Sequence, residues 1–166
     1  MDVKLAMNET TLLVEFELNL AHTPQEIWPY LTETPKIQRW FLEISIGKLE
    51  PNGFMLFQMP DEQLKMPILA LSHEQLLEFT WGFNGSVAFH IKADEFGSQI
   101  YFNETLPADF PNVSLDITGW SFALERLQDL NSESSYHKTA EMNSDAFKER
   151  LRRYEEILES LKVPAE

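Results

Sequence analysis

The chain has 166 residues, enough for one domain that buries roughly two-thirds of the surface its unfolded form would expose. It has no cysteine, which excludes a disulfide framework, a thiol nucleophile and every cysteine-ligated metal site. Its formal net charge of -14 repels polyphosphates and anionic lipid surfaces, so we expect neither nucleic-acid binding nor membrane docking.

The N-terminal segment gives an expectation for the cellular location of the protein, and the distribution of charge gives one for its division into modules. The N-terminal segment has no basic region followed by an unbroken apolar run, and no segment approaches the ~20 apolar residues that span a bilayer. We therefore expect a cytoplasmic protein. Residues 1–144 hold 8 of the 13 Lys and Arg and 21 of the 27 Asp and Glu, whereas residues 145–162 hold five of each sign. This difference indicates that the C-terminal tail is a separate module.

The chain begins with a predicted strand and two short helices. Residues 11–20 alternate apolar and polar side chains, as a strand with one buried face does. Thr23 and Glu26 have the spacing of a capping box, and Pro24 takes the first helical position, so a helix should start there. A second helical turn follows and ends at residues 39–41.

The middle of the chain changes from the period of a helix to the period of a strand. Alternating apolar residues bounded by turn residues predict strands at 53–59, 68–73, 76–81, 86–93 and 98–106. With the first strand they form an antiparallel meander of about six strands, which twists and curls. A long helix is predicted over residues 113–130, and its apolar face must cover one side of that sheet.

The order of these segments resembles the START-like, or helix-grip, superfamily (SRPBCC proteins). The resemblance lies in TPQEIWPYLTETPKIQRWF, GFMLFQMP, HEQLLEFTW, FGSQIYFNETLP and TGWSFALERLQDL, within residues 10–131. The nearest branch resembles the C-terminal domain of the activator of the heat-shock protein 90 ATPase. The resemblance implies an α+β fold in which a curved antiparallel sheet of about seven strands wraps around the long helix and leaves a cavity. It leaves function open, because this superfamily includes lipid and polyketide binders, aromatase/cyclases, hormone receptors and co-chaperone domains.

The candidate ligand site is the set of mainly aromatic side chains on the inward faces of the sheet and the long helix, together with those at the mouth of the cavity. Its members are Trp40, Phe41, Met55, Phe57, Phe79, Trp81, Phe89, Ile91, Phe102, Glu104, Gly119, Trp120 and Leu124. Such residues either pack a solid core or line a cavity for an apolar or amphipathic ligand. Large aromatic and methionine side chains suit the second arrangement.

Two members of this set raise specific questions. Gly119 lies in mid-helix, where glycine costs roughly 1 kcal/mol relative to alanine. It either allows a close approach of helix and sheet or leaves space beside Trp120 for a ligand. Glu104 is the one inward carboxylate of the strands and, near a strand end, is expected to reach solvent. If it were buried, desolvation would raise its pKa and make it a candidate acid, base or polar anchor.

The sequence carries no recognisable catalytic or metal-binding motif. The histidines are dispersed and are expected at the surface: His22, His73, His90 and His137. No glycine-rich phosphate loop and no G-x-S-x-G elbow occurs. We predict no catalytic residue, no metal and no cofactor. An enzyme of cyclase or hydrolase type would require Glu104, or a similar polar group, to be buried and directed into the cavity.

The tail is predicted to be a polar linker, residues 132–144, and an additional amphipathic helix, residues 145–161, capped by Ser144. The helix has a narrow apolar seam, formed by Phe147, Leu151, Tyr154, Leu158 and Leu161. An isolated helix of this length is marginal in water, so the seam needs its own domain, a second copy of the chain or another protein as partner. Leu115 and Phe122 of the long helix could receive it. Its basic residues would suit an acidic surface: Lys148, Arg150, Arg152 and Arg153.

The sequence thus favours a non-enzymatic helix-grip domain, residues 1–131, that binds a small apolar or amphipathic ligand. The alternative is a protein-interaction module of co-chaperone type, with a chaperone or another protein as partner and a role in the stress response. A void lined by the named aromatics would favour the first, and a filled core with an exposed apolar patch would favour the second.

Overall fold

The computed structural model describes residues 2–130 and 141–162. Within those residues the strands are β1 Asp2–Met7, β2 Thr11–Leu20, β3 Ile44–Lys48, β4 Phe54–Gln58, β5 Gln63–Ser72, β6 Leu76–Trp81, β7 Gly85–Asp94 and β8 Gly97–Pro107. The helices are α1 Pro24–Thr32, α2 Thr34–Ile37, α3 Val113–Gln128 and α4 Asp145–Lys162. The strands form one antiparallel sheet in the order β1-β2-β8-β7-β6-β5-β4-β3. This confirms the predicted α+β architecture.

The sheet contains two strands that the sequence prediction missed, and both lie at its edges. β1 pairs with β2 alone, and its apolar residues Val3, Leu5 and Met7 are only half-buried. β3 pairs with β4 alone, and its register shifts at Gly47, where a Cβ would collide with the ring of Phe54. Edge strands are short, partly exposed or bulged, so their alternation of apolar and polar residues is a weaker signal.

The space between α3 and the centre of the sheet is filled by aromatic rings. Phe16 of β2, Phe89 of β7 and Phe102 of β8 are fully buried. The ring centroid of Phe102 lies 6.1 Å from that of Phe16 and 5.1 Å from that of Phe89. Trp120 of α3 packs on the same group, 4.6 Å from Phe102. The centre of the helix–sheet interface is therefore a packed core, in which each buried ring contributes a large apolar area.

The two short helices carry the chain from β2 to β3, the strand at the far edge of the sheet. The predicted capping box is present: the Glu26 amide donates to Thr23 Oγ1 over 3.2 Å, and the Thr23 amide donates to Glu26 Oε1 over 2.9 Å. After α2, the buried Trp40 donates its indole N–H to the carbonyl of Tyr30 over 2.7 Å. The next residue, Phe41, packs against Phe57 of β4 and Trp81 of β6.

Helix α4 packs against its own chain. Ser144 caps it as predicted, because its Oγ accepts a hydrogen bond from the Phe147 amide over 3.2 Å. Phe147, Tyr154 and Leu158 are buried against α3 and β1. The ring of Phe147 stacks on Phe122 of α3, with centroids 5.2 Å apart. Most of the predicted seam therefore has a partner within the same chain.

The remaining residues of the seam and its basic neighbours are closer to solvent. Leu151 is half-buried, and Leu161 is 38% exposed. Arg150 lies over the ring of Phe122, 4.0 Å from its centroid, and forms an ion pair with Glu125 of α3. Homodimerisation through α4 stays a prediction. The predicted linker, 132–144, lies mostly outside the described residues.

We expect Phe147→Ala to lower the free energy of unfolding by about 3 kcal/mol, because it removes a buried ring from the contact between α3 and α4. Leu161→Ala on the same helix is the control, and its effect should stay within about 0.5 kcal/mol because this side chain is exposed. Urea denaturation followed by tryptophan fluorescence measures both. Equal effects would contradict the docking of α4.

Candidate functional site

A pocket of about 290 Å³ opens beside α3, next to β4 and β6. Its walls are mainly aromatic and come from six parts of the chain: Phe41, Phe57, Trp81, Phe110, Trp120 and Phe147. Its charged lining residues are Glu43, Asp116, Arg126 and Glu141. This volume lies at the small end of the range for ligand pockets in proteins, which is roughly 300 to 1,000 Å³.

The structure divides the predicted site residues into two groups. Five of them line the pocket: Phe41, Phe57, Trp81, Gly119 and Trp120. The other eight are buried in the packed interior: Trp40, Met55, Phe79, Phe89, Ile91, Phe102, Glu104 and Leu124. The pocket thus lies to one side of the helix–sheet interface, and the centre of that interface is filled.

Four rings form the aromatic wall of the pocket: Phe41, Phe57, Trp81 and Trp120. The centroid of Trp120 lies 4.9 Å from Phe41 and 4.8 Å from Trp81. Phe57 lies 5.5 Å from Trp81 and 6.2 Å from Phe41. The ring planes are tilted or perpendicular, the arrangement that aromatic quadrupoles favour, so the wall is pre-formed.

Gly119 leaves an opening in the surface of α3. A Cβ at this position would meet nothing within 4 Å. A close approach of helix and sheet, which was one of the two explanations expected for this glycine, is therefore wrong. The missing side chain leaves space beside Trp120, and this space is part of the pocket.

A buried pair of carboxyl groups lies at this end of α3. Glu104 is fully buried, contrary to the expectation that it reaches solvent, because Val14 of β2 and Val87 of β7 flank it in the sheet. Asp116, in the first turn of α3, lines the pocket, and its Oδ1 accepts a hydrogen bond from Trp81 Nε1 over 2.8 Å. The sequence reading missed Asp116, although its i, i+4 spacing from Trp120 places both on one helix face.

Burial disfavours the ionised form of both carboxyl groups. It raises the pKa of Glu104 well above its ordinary range, and the nearby charge of Asp116 raises it further. Burial also raises the pKa of Asp116, while the proximity of Glu104 and the hydrogen bond from Trp81 oppose that rise. Because two carboxylates in one buried site repel each other, we assign a proton to Glu104 and the negative charge to Asp116.

Four buried polar atoms of this pair and of Trp120 have no hydrogen-bond partner among the described residues. They are the two carboxyl oxygens of Glu104, Oδ2 of Asp116 and Nε1 of Trp120. Unsatisfied buried polar atoms are uncommon in folded proteins, and each one needs an explanation.

The structure offers no metal centre in residues 2–130 and 141–162: no three His, Cys, Asp or Glu side chains there are grouped to hold an ion. His73 and His90 are exposed, His22 is half-buried, and His137 lies outside the described residues. In the same part of the chain, no helix has both the length and the apolar composition needed to cross a bilayer.

The chain is similar to a conserved protein of unknown function from Enterococcus faecalis, EF2215, whose structure is solved. The two are 32% identical over 97% of this chain and 92% of that chain, with a TM-score of 0.86. This chain belongs to the EF2215 family. Because the match covers 97% of this chain, about five residues are left outside it. Helix α4 has 18 residues, so the match to EF2215 must include part of that helix. No protein-family model and no curated protein matches the chain.

More distant structures show the same fold. CalU16 from Micromonospora echinospora is 16% identical over 95% of this chain and 96% of its own, with a TM-score of 0.67. DynU16, from the dynemicin biosynthetic locus, is 14% identical over 74% of this chain and 48% of its own, with a TM-score of 0.62. At these identities the likeness shows the helix-grip type of fold and no function. The narrower resemblance to the activator of the heat-shock protein 90 ATPase stays a prediction.

We expect the stability of the protein to fall as pH rises, because the folded chain retains the Glu104 proton that the unfolded chain releases near pH 4.3. This contribution is fully present below that pH and is lost as pH rises through the higher pKa of the folded state. One retained proton gives a slope of at most about 1.4 kcal/mol per pH unit.

Glu104→Gln should remove this slope, because an amide of the same shape does not titrate. Glu95→Gln, at an exposed turn, is the control and should leave the slope unchanged. Unfolding free energies in urea between pH 4 and pH 8 measure the effect. The same slope in Glu104→Gln and the unmodified chain would contradict the assignment of the proton.

Proposed function

We propose that this protein binds a small apolar or amphipathic molecule in the pocket beside α3. The observation that carries the proposal is the wall of four aromatic rings, which lines an open pocket of about 290 Å³. Covering such a wall with an apolar molecule contributes about 25 cal/mol for each Å² of apolar surface removed from water. A volume of this size suits a molecule with a single ring system or a short chain.

Helix α4 and the residues before it complete this pocket. Glu141, Met142 and Phe147 all line it. Glu141 forms an ion pair with Arg126 of α3, and Arg126 also donates a hydrogen bond from Nε to the carbonyl of Trp40 over 3.1 Å. These contacts support a role for the C-terminal helix as one wall of the binding site.

The proposal assigns no reaction to the pocket. An enzyme of cyclase or hydrolase type would require Glu104 or a similar polar group in the cavity; Asp116 lines the pocket and meets this condition, but no catalytic motif accompanies it in the sequence. The occurrence of DynU16 in a biosynthetic locus supports a small-molecule role for this type of fold. The proposal keeps the cytoplasmic location expected from the sequence.

The alternative is a protein-interaction module like the activator of the heat-shock protein 90 ATPase. Exposed apolar side chains favour it: Leu42, Leu69, Phe83 and Phe96 are 54%, 53%, 71% and 80% exposed. Phe83 and Phe96 lie in the turns at opposite ends of β7, however, so these two do not form one patch.

The alternative is tested by adding the full chain to heat-shock protein 90 and measuring its ATPase rate. If the full chain raises the ATPase rate of heat-shock protein 90 and Phe83→Ser reduces that increase, the interaction role is supported. An unchanged ATPase rate on addition of the full chain would contradict it.

We expect Gly119→Leu to weaken the binding of an apolar fluorescent dye about tenfold or more, because the new side chain would occupy the space beside Trp120. Gly119→Ala is the matched control. It should retain dye binding and raise the free energy of unfolding by about 0.5 to 1 kcal/mol, since alanine favours a helix and meets no obstacle here. Fluorescence titration and urea denaturation measure the two effects. Unchanged dye affinity in a folded Gly119→Leu protein would contradict the site.

A further inference from the structure

The charged residues of the pocket are mostly acidic. Among the residues that the structure describes, Glu43, Asp116 and Glu141 line it together with one basic residue, Arg126, which forms an ion pair with Glu141. The chain as a whole carries a formal charge of -14. Both the local and the overall charge therefore attract cations and repel anions.

The carboxylate of Asp116 is held by a neutral donor. Its Oδ1 accepts from the indole N–H of Trp81 over 2.8 Å, and its Oδ2 has no hydrogen-bond partner among the described residues. Within residues 2–130 and 141–162, no lysine or arginine forms an ion pair with either carboxyl group. A buried negative charge without a counter-ion is costly, and a cationic ligand would offset that cost.

The neighbouring rings provide the second element of a cation site. The faces of aromatic rings carry negative electrostatic potential, and several rings around one point attract an ammonium group. Phe41, Trp81 and Trp120 lie within 4.8 to 5.9 Å of one another, and Trp81 bonds directly to Asp116. The aromatic wall and the carboxylate therefore meet at the same place.

The unsatisfied atoms also indicate what a ligand should supply. With Glu104 protonated, two are donors, the O–H of Glu104 and Nε1 of Trp120, and two are acceptor oxygens, one on Glu104 and Oδ2 of Asp116. Because the carboxylate of Asp116 carries the negative charge, a ligand that brings a positive charge or an N–H donor would satisfy its Oδ2.

We propose that the ligand of this pocket is an organic cation, an amine with a small apolar or aromatic body. Its body lies against Phe41, Phe57 and Trp120, and its charged nitrogen lies beside Asp116 and Trp81. This inference rests on the proposed function, because it names the class of ligand for the same pocket.

The proposal has a consequence for pH. A cation beside Asp116 favours the ionised form of the pair, so its affinity should rise with pH as Glu104 loses its proton. The other charged groups that face the ligand are Glu43 and the ion pair between Arg126 and Glu141. Burial raises the pKa of Glu141 as well, so the Glu104→Gln variant is needed to assign the pH dependence to the carboxyl pair.

The test compares two probes of the same shape, benzyltrimethylammonium and its uncharged carbon analogue neopentylbenzene. The charge of the first does not change with pH, so any pH dependence belongs to the protein. We expect the cation to bind about tenfold more tightly than the neutral analogue at pH 7. Its affinity should increase from pH 5 to pH 8 in the unmodified chain, while that of the neutral analogue should stay constant. Displacement of the apolar dye measures both.

Asp116→Asn is the decisive variant, because asparagine keeps an acceptor oxygen for Trp81. It should reduce the affinity for the cation about tenfold and leave that for neopentylbenzene unchanged. Asp109→Asn is the matched control, since it makes the same charge change at an exposed position outside the pocket. Near-ultraviolet circular dichroism checks that both variants are folded.

Equal affinities for the two probes, or equal losses of cation affinity in Asp116→Asn and Asp109→Asn, would overturn the inference while the proposed function stands. Failure of both probes and of the apolar dye to bind would overturn the proposed function and the inference together. If Asp116→Asn does not fold, the pH series and Glu104→Gln decide, and a cation affinity that does not depend on pH in the unmodified chain counts against the inference.

Discussion

The ring of Trp120 is the contact on which both the core and the pocket depend. It lies 4.6 Å from Phe102 in the packed core, and 4.9 Å and 4.8 Å from Phe41 and Trp81 in the pocket wall. Because this large side chain is packed between the sheet and the wall, it contributes with the other buried residues of α3 to fixing the rotation of that helix about its axis. That rotation turns Gly119 and Asp116 toward the pocket.

The buried carboxyl pair shows that this end of the protein is not built for stability alone. Glu104 lies between Val14 and Val87 in the sheet, where an apolar side chain would avoid the cost of desolvating a carboxyl group. Asp116 keeps a hydrogen bond with Trp81, so the polar pair and the aromatic wall are held as one unit. Perturbed carboxyl groups in a pocket are typical of sites that bind or react with a ligand.

Helix α4 connects the tail of the chain to this site. Phe147 stacks on Phe122, Arg150 pairs with Glu125, and Phe147 also lines the pocket. The match to EF2215 extends into this helix, so it belongs to the shared fold of that family. Helix α4 is thus linked to the proposed binding site by direct contacts.

The sequence by itself determined the elements whose signals are local. The alternation of β2 and β6, the helical period of α3 and the caps at Thr23 and Ser144 follow from neighbouring residues, and all are present. Only the tertiary structure decided the burial of Glu104, the open space at Gly119 and the pairing with Asp116. These depend on how α3 is rotated and placed across the sheet, and on distances between residues far apart in the chain. Local periodicity carries no information about those distances. It therefore identified most of the rings in the aromatic wall of the pocket, but it missed Asp116, the polar group beside them.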